Sequence, residues 1–174
     1  MESIYLAAYW KARPESRDEC AEKISDFLRA AASTDDSLKE WFLKGAQRSE
    51  ARKSAKLFKV GIGPLLRTNN RETTGEPMLD LGFNLSLWNG RNGSFSITIG
   101  STNRWIENCA LLKFHGECVM PKSKWILLMN AAVHSFQPDS AVVTSDAESW
   151  PLKDVAWLKY SSVNGITESE LRCE

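Results

Sequence analysis

The strongest constraint in this chain is a period of two. Leu79, Leu81, Phe83, Leu85 and Leu87 alternate with Asp80, Gly82, Asn84, Ser86 and Trp88. Successive side chains of an extended strand point to opposite faces, so the pattern predicts a strand with one face on a core and one in water. Asn89-Gly90 and Asn92-Gly93 follow, residue types that tolerate the positive φ of a tight hairpin, and Phe95, Ile97 and Ile99 then resume the alternation. On this register Leu81, Phe83 and Leu85 are expected to be buried. A third antiparallel strand is expected over residues 109–114, after a connection holding Trp105 and Asn108. Such a sheet needs apolar cover on one face, and the rest of the chain must supply it.

Helical cover is legible on both sides of the hairpin. Ser16-Arg17-Asp18-Glu19 has the spacing of a capping box, in which Ser16 accepts from the amide three residues on and Glu19 reaches back. Behind it Cys20, Ile24, Phe27, Leu28 and Ala31 share one helical face, and Glu22, Lys23, Asp26 and Arg29 the other. Pro121 suits the first turn of a later helix, where Trp125, Leu128, Met129, Ala132 and Phe136 line up. Ile126, Leu127 and Val133 widen its apolar surface, which predicts heavy burial, and Pro138 ends it. A short helix is expected through Leu38, Trp41 and Phe42, closed by Gly45. Residues 4–10, 141–144 and 155–160 read as strands, the last two separated by a Trp150-Pro151 turn, and residues 67–77 as a long exposed loop. The order predicts an α+β fold. One domain over residues 1–174 would pack a largely antiparallel sheet with two to three helices, a length that buries a core without disulfide or metal.

Charge and apolar runs narrow the function by exclusion. Lysine plus arginine and aspartate plus glutamate each number 22, so the net charge is zero. That balance leaves no broad basic field for direct nucleic-acid binding and no polybasic membrane anchor. The one basic run, Lys44, Arg48, Arg52, Lys53, Lys56 and Lys59 against Glu50, reads as a solvated face. The apolar stretches at residues 125–129 and 131–133 are too short to span a bilayer. The opening residues lack the basic segment of a secretory leader, and their apolar run breaks at Lys11 and Arg13. With Cys20, Cys109, Cys118 and Cys173 scattered, the expectation is a cytoplasmic protein with reduced thiols.

No constellation of residues carries an obvious chemistry. Cys109, His115 and Cys118 lie close together but lack a fourth ligand and the paired spacing of structural zinc sites. His115 and His134 are the two imidazoles, no G-x-S-x-G elbow accompanies them, and His134 reads as a partly buried helix residue. Gly61-Ile62-Gly63-Pro64 lacks the lysine and hydroxyl of a phosphate loop and reads as a turn. No lysine has an acid two places before it, the pairing that metal-dependent nuclease strands use to hold a cation and activate water. The expectation is a protein with no catalytic residue, no metal and no cofactor. What stands out is aromatic: seven tryptophans. Trp125 and Trp157 read as core, Trp88 falls on the polar face of its strand, and Trp41 and Trp150 lie beside acids. Aromatic residues on polar faces are enriched at protein–protein hot spots.

The stretch Leu81-Gly82-Phe83-Asn84-Leu85-Ser86-Leu87-Trp88-Asn89-Gly90, with residues 95–100 and Asn108 after it, resembles the polymorphic-toxin immunity proteins of immunity protein family 52. Tyr9-Trp10, the capped helix that follows, and Trp157-Leu158-Lys159-Tyr160 are similar too. The resemblance implies a small bacterial cytoplasmic antidote, not an enzyme, that binds a cognate toxin nuclease of restriction-endonuclease-like fold delivered by a secretion system. A small hydrolase or transferase with an unrecognised site, and a chaperone-like binding module, are the rival readings. An inhibitor of a phosphate-handling cleft should offer carboxylates and aromatic anchors. Asp35, Asp36, Glu40 and Trp41 combine these around the expected short helix, and Asp146, Glu148, Trp150 and Asp154 do so in a late segment. The late segment is favoured because no periodicity commits it to a core. The same acids read equally well as helix caps and solvated loops.

Overall fold

The computed structural model describes residues 3–44, 61–71, 73–116, 120–145 and 158–168. Nine strands form one sheet: β1 Ser3–Trp10, β2 Phe42–Leu43, β3 Arg67–Thr68, β4 Phe83–Trp88, β5 Gly93–Ile99, β6 Asn108–His115, β7 Ser140–Ser145, β8 Leu158–Ser161 and β9 Gly165–Glu168. The spatial order is β2-β4-β5-β6-β1-β7-β8-β9, with β3 also on β4, and every pair is antiparallel. Two helices, α1 Arg17–Thr34 and α2 Lys122–Phe136, complete the described architecture, an α+β fold dominated by its sheet. None of the described helices is long and apolar enough to cross a membrane.

The register sorts the side chains into two faces. Leu87, Phe95, Leu112, Leu6, Val143 and Leu158 lie side by side across six strands, and all are buried. One residue along, Ser86, Ser96, Leu111, Ala7, Val142 and Lys159 make the adjacent row on the opposite face, as a period of two requires. The helices cover the first face. Phe27 of α1 stacks on Phe95 with centroids 5.2 Å apart, Phe136 of α2 stacks on Trp10 at 5.5 Å, and Trp125 meets Phe114 edge-on at 5.8 Å.

The helical expectations hold where capping and periodicity agree. Glu19 N–H donates to Ser16 Oγ at 3.3 Å, and Ser16 N–H donates to Glu19 Oε2 at 2.7 Å, closing the capping box. Cys20, Ile24, Phe27, Leu28 and Ala31 are the buried residues of α1. In α2 the expected face is buried, but Leu127 is 53% exposed, so its burial is narrower than its composition suggests. Gln137 ends it in the left-handed region at φ 48°, its amide donating to Val133 O. Residues 61–65 do form a turn, closed by a 3-10 segment at Gly63–Leu65 whose carbonyl at Gly63 accepts from Arg17.

Three expectations fail. The short helix through Leu38, Trp41 and Phe42 is a single 3-10 turn, Asp36–Leu38, followed by β2. Phe42 pairs with Trp88 and Leu43 with Leu87, so the unpaired edge of β4 outcompetes local helix formation. The alternation at residues 79–87 is not all strand. Leu79–Leu81 is a 3-10 turn, and Gly82 at φ 68°, ψ −147° redirects the chain before β4 starts. Leu79 is therefore 67% exposed and Leu81 and Phe83 only half-buried, leaving Leu85 and Leu87 as the buried pair. Residues 67–77 are not simply loop: β3 pairs with Asn84 and Phe83, and Asn70 bridges to Pro77. A final strand, β9, was not expected from the sequence. Gly45, the cations from Arg48 to Lys59, Cys118, the Trp150-Pro151 turn, Trp157 and Cys173 lie outside the described residues.

Candidate partner-binding surface

The first acidic group gathers at the end of the sheet marked by the β4–β5 hairpin. Asp35 closes α1 and caps the 3-10 turn after it: its carboxylate accepts from Ser37 N at 2.8 Å and from Lys124 Nζ at 2.7 Å. Lys124 lies in the first turn of α2, so this contact ties the two helices together. The Lys124 hydrogen bond, helped by those from Ser37, holds the Asp35 carboxyl down at about 2. Asp36 pairs with Lys39 at 2.6 Å, both exposed, and that contact lowers its pKa too. Glu40 is exposed. Trp41 is not a surface aromatic: it is 5% exposed, its indole N–H donates to Leu38 O at 2.8 Å, and its ring meets Phe95 edge-on at 6.3 Å. Asn89 at the hairpin tip donates to Ser37 O and fixes this corner. The corner thus brings all four together but turns only Asp36 and Glu40 outward. Asp146, Glu148, Trp150 and Asp154 lie outside the described residues.

The other groups considered for chemistry are placed as follows. Cys20 and Cys109 are free thiols whose burial pushes them up to about 12 and about 11, so neither supplies a thiolate near neutrality. His115 Nδ1 lies 3.2 Å from Ser3 Oγ across the β1–β6 pair. His134, expected to be partly buried, is exposed. Trp88 lies against Phe42 at 5.9 Å and donates its indole N–H to Arg91 O, so it is packed into the hairpin rather than offered outward. Among the described residues no three of His, Cys, Asp and Glu stand close enough to hold a metal.

The opposite end of the sheet carries a feature that the sequence reading passed over. The turn after β5 is built of polar bonds. Thr102 and Asn103 amides both donate to Asp80 O at 3.0 Å, Asn103 Nδ2 donates to Asp80 Oδ2 at 3.0 Å, and Ser101 N donates to the buried Asn108 at 2.8 Å. Trp105 N donates to Asn103 Oδ1 and Ile106 N to Asn103 O, each at 3.0 Å. This scaffold presents Trp105 at 80% exposure, with the Arg104 guanidinium 4.6 Å from the ring, and Ile106 at 36%. Over β1, β7, β8 and β9 the open sheet face forms a 450 Å³ groove whose lining includes Tyr9, Val142, Lys159, Tyr160, Ser161 and Thr167. A 250 Å³ groove sharing Tyr9 and Ser140 runs on through Lys11, Asp139 and Glu107, the residue after Ile106. A tryptophan in a Thr-Asn-Arg turn between two alternating strands, with no core face to join, was the available signal.

Comparison with known proteins places this architecture. The family model of immunity protein 52 matches residues 2–159, and the chain belongs to that family. No curated protein sequence matches it. Among solved structures it is similar to a Pseudomonas aeruginosa T6SS protein, PA0821, at 12% identity and a TM-score of 0.44. That similarity covers 83% of this chain and 42% of the other, so the chain spans less than half of the structure it matches.

Proposed function

We propose that this immunity protein neutralises a cognate bacterial toxin in the cytoplasm by direct, stoichiometric binding, and that the toxin is a nuclease effector of restriction-endonuclease-like fold. The observation that carries the reading is the family match over residues 2–159. The nuclease class rests on the resemblance drawn from the hairpin, from Tyr9-Trp10 and from the residues around Leu158. Inhibition then needs no chemistry from this chain. It needs a surface that holds the toxin tightly enough to cover or distort its cleft, which agrees with thiols held far above neutrality and an end of the sheet ordered around an exposed tryptophan.

The test is co-expression with the C-terminal domain of the protein that the adjacent gene encodes. The proposal expects cell survival, co-purification in a 1:1 complex, and loss of the toxin's DNA or RNA cleavage on adding the purified chain. Cell death despite expression, or no complex, refutes direct neutralisation. A toxin that leaves nucleic acid intact when expressed alone refutes the nuclease assignment and leaves the immunity role standing.

A further inference from the structure

We infer that the toxin docks on the end of the sheet that carries Leu79, Trp105 and Ile106, with Trp105 as the anchor in an apolar pocket and Asp80, Glu107 and Asp139 facing a basic rim. This rests on the toxin-binding reading above and names the surface that performs it.

The first support is a mismatch between order and burial. Loops are ordinarily fixed by tucking their large apolar side chains into a core. Here Asp80, Ser101, Asn103 and Asn108 fix the turn through polar bonds while the indole faces water with the Arg104 guanidinium 4.6 Å from its ring. A partner meeting this tryptophan would not have to order the backbone that carries it, so that part of the entropy of fixing an anchor is already lost before association. Tryptophan and arginine are also the residues most enriched at interface hot spots.

The second support is shape. The exposed ridge does not stand alone: Glu107, the residue after Ile106, lines the smaller groove, which shares Tyr9 and Ser140 with the larger one that reaches Lys159 and Thr167. A projecting anchor beside a groove suits a protein partner that interlocks with it, rather than a flat contact.

The third support is charge. Among the described residues Glu15, Asp26, Asp35 and Asp36 each have a cation within ion-pair distance. Asp80, Glu107 and Asp139 are exposed and, like Asp18, Glu19, Glu22, Glu40 and Glu76 elsewhere, have none there; what sets the three apart is that they lie at the end that carries Trp105, where Asp80 takes an amide of Asn103 and Asp139 the backbone amide of Lys11. Lys11 lines the smaller groove, Lys159 lies farther off along the larger one, Arg13 is paired with Glu15, and Arg104 lies over the indole. Unpaired carboxylates around an apolar anchor complement a site that is cationic because it handles phosphates. The hairpin corner offers less, since Asp36 is already paired, Trp41 is buried, and Glu40 is left exposed with no apolar anchor described beside it.

The test measures the affinity of the full chain for the toxin domain by calorimetry, with melting temperatures recorded to show that each variant is folded. Trp105→Ala should weaken binding by about 30-fold or more. The double reversal Glu107→Lys, Asp139→Lys should slow association and flatten its salt dependence. Asp36→Ala and Glu40→Ala should bind within about 2-fold of wild type. A wild-type chain that binds while Trp105→Ala and Ile106→Ala bind equally well overturns the docking surface alone. So does a loss confined to the Asp36 and Glu40 variants, or a Trp105→Ala change that turns a self-associated chain into a monomer without altering toxin affinity. A wild-type chain that does not bind the toxin refutes the proposed function, and the docking surface falls with it.

Discussion

Replacing Gly82 by alanine tests how the two ends of the β4 region are joined. Gly82 has φ 68° and ψ −147°, a backbone region open in practice to glycine alone, and holding another residue there costs about 1–3 kcal/mol. Space makes it worse. A Cβ at this position would lie 2.5 Å from Ser101 N and 2.7 Å from Gly100 C, and closer still to Ile99 O. These are backbone atoms of β5 and its following turn, so they cannot swing aside as a side chain would. Overpacking of this kind adds about 1–3 kcal/mol, against a gain of about 0.4–1 kcal/mol from a stiffer unfolded chain. The net expectation is a loss of about 2–4 kcal/mol, which for a chain of this length lowers the melting temperature by about 4–16 °C. Gly75→Ala is the matched control: its φ is 70°, and a Cβ there meets nothing within 4 Å. It pays the conformational part only and should stay within about 1–2 kcal/mol of wild type. Thermal melts of the three proteins by circular dichroism decide the matter. If Gly82→Ala and Gly75→Ala melt together, the close approach of Gly82 to the β5 turn is not what holds this region.

Phe95→Ala should cost about 3–5 kcal/mol in urea unfolding, since its buried ring touches both Phe27 and Trp41, while Ser96→Ala on the opposite face should be near neutral; equal midpoints would contradict the assignment of faces. Trp41→Phe keeps most of the packing but removes the indole bond to Leu38 O, so a loss of about 0.5–1.5 kcal/mol is expected, together with a change in intrinsic fluorescence. The Asp35 carboxyl is depressed in the folded state, from 3.8 to about 2. Its contribution is therefore fully present above the unfolded value and is lost as pH falls from about 4 toward 2. Unfolding curves for Asp35→Asn should show a flatter acid limb over that interval, and an unchanged limb would show that the Lys124 contact carries no stability.

Legibility in the sequence followed the number of independent signals at each place. For α1 a capping box, an apolar face and a charged face all agreed, and its buried residues are those the spacing named. At residues 79–81 only alternation spoke, and alternation cannot distinguish a strand from a turn that happens to place leucines at odd positions. The glycine at 82 was the contrary signal, outweighed by the five apolar residues around it. Residues 38–43 misled in the other direction. A short apolar cluster after a capping aspartate looks helical in isolation, and nothing local reveals that β4 has an edge to fill. The candidate surface was legible only in part. Proximity of acids to Trp41 suggested an interface, but the indole nitrogen had a carbonyl to reach inside the core. Trp105 carried the opposite message and was missed, because exposure depends on what the fold leaves uncovered.

The position of β1 has a consequence for the birth of the molecule. It emerges from the ribosome first of all the described strands, yet it lies in the middle of the sheet, between β6 and β7. Roughly a hundred residues separate Trp10 from Asn108, its partner on β6, so at about 5–20 residues per second the strand waits about 5–20 s for its nearest neighbour to be made. Its second partner, β7, comes later still. The β4–β5 and β5–β6 pairs of the meander, by contrast, join strands adjacent in sequence and can form as they are synthesised. The nascent chain therefore carries an apolar, unpaired segment through most of its own translation, exposed to every other strand edge in the cell. A trigger-factor-type holdase that covers residues 3–10 during that interval should raise the folded yield. A mutation that slows β6 docking should lower the supply of finished antidote without touching the surface that meets the toxin.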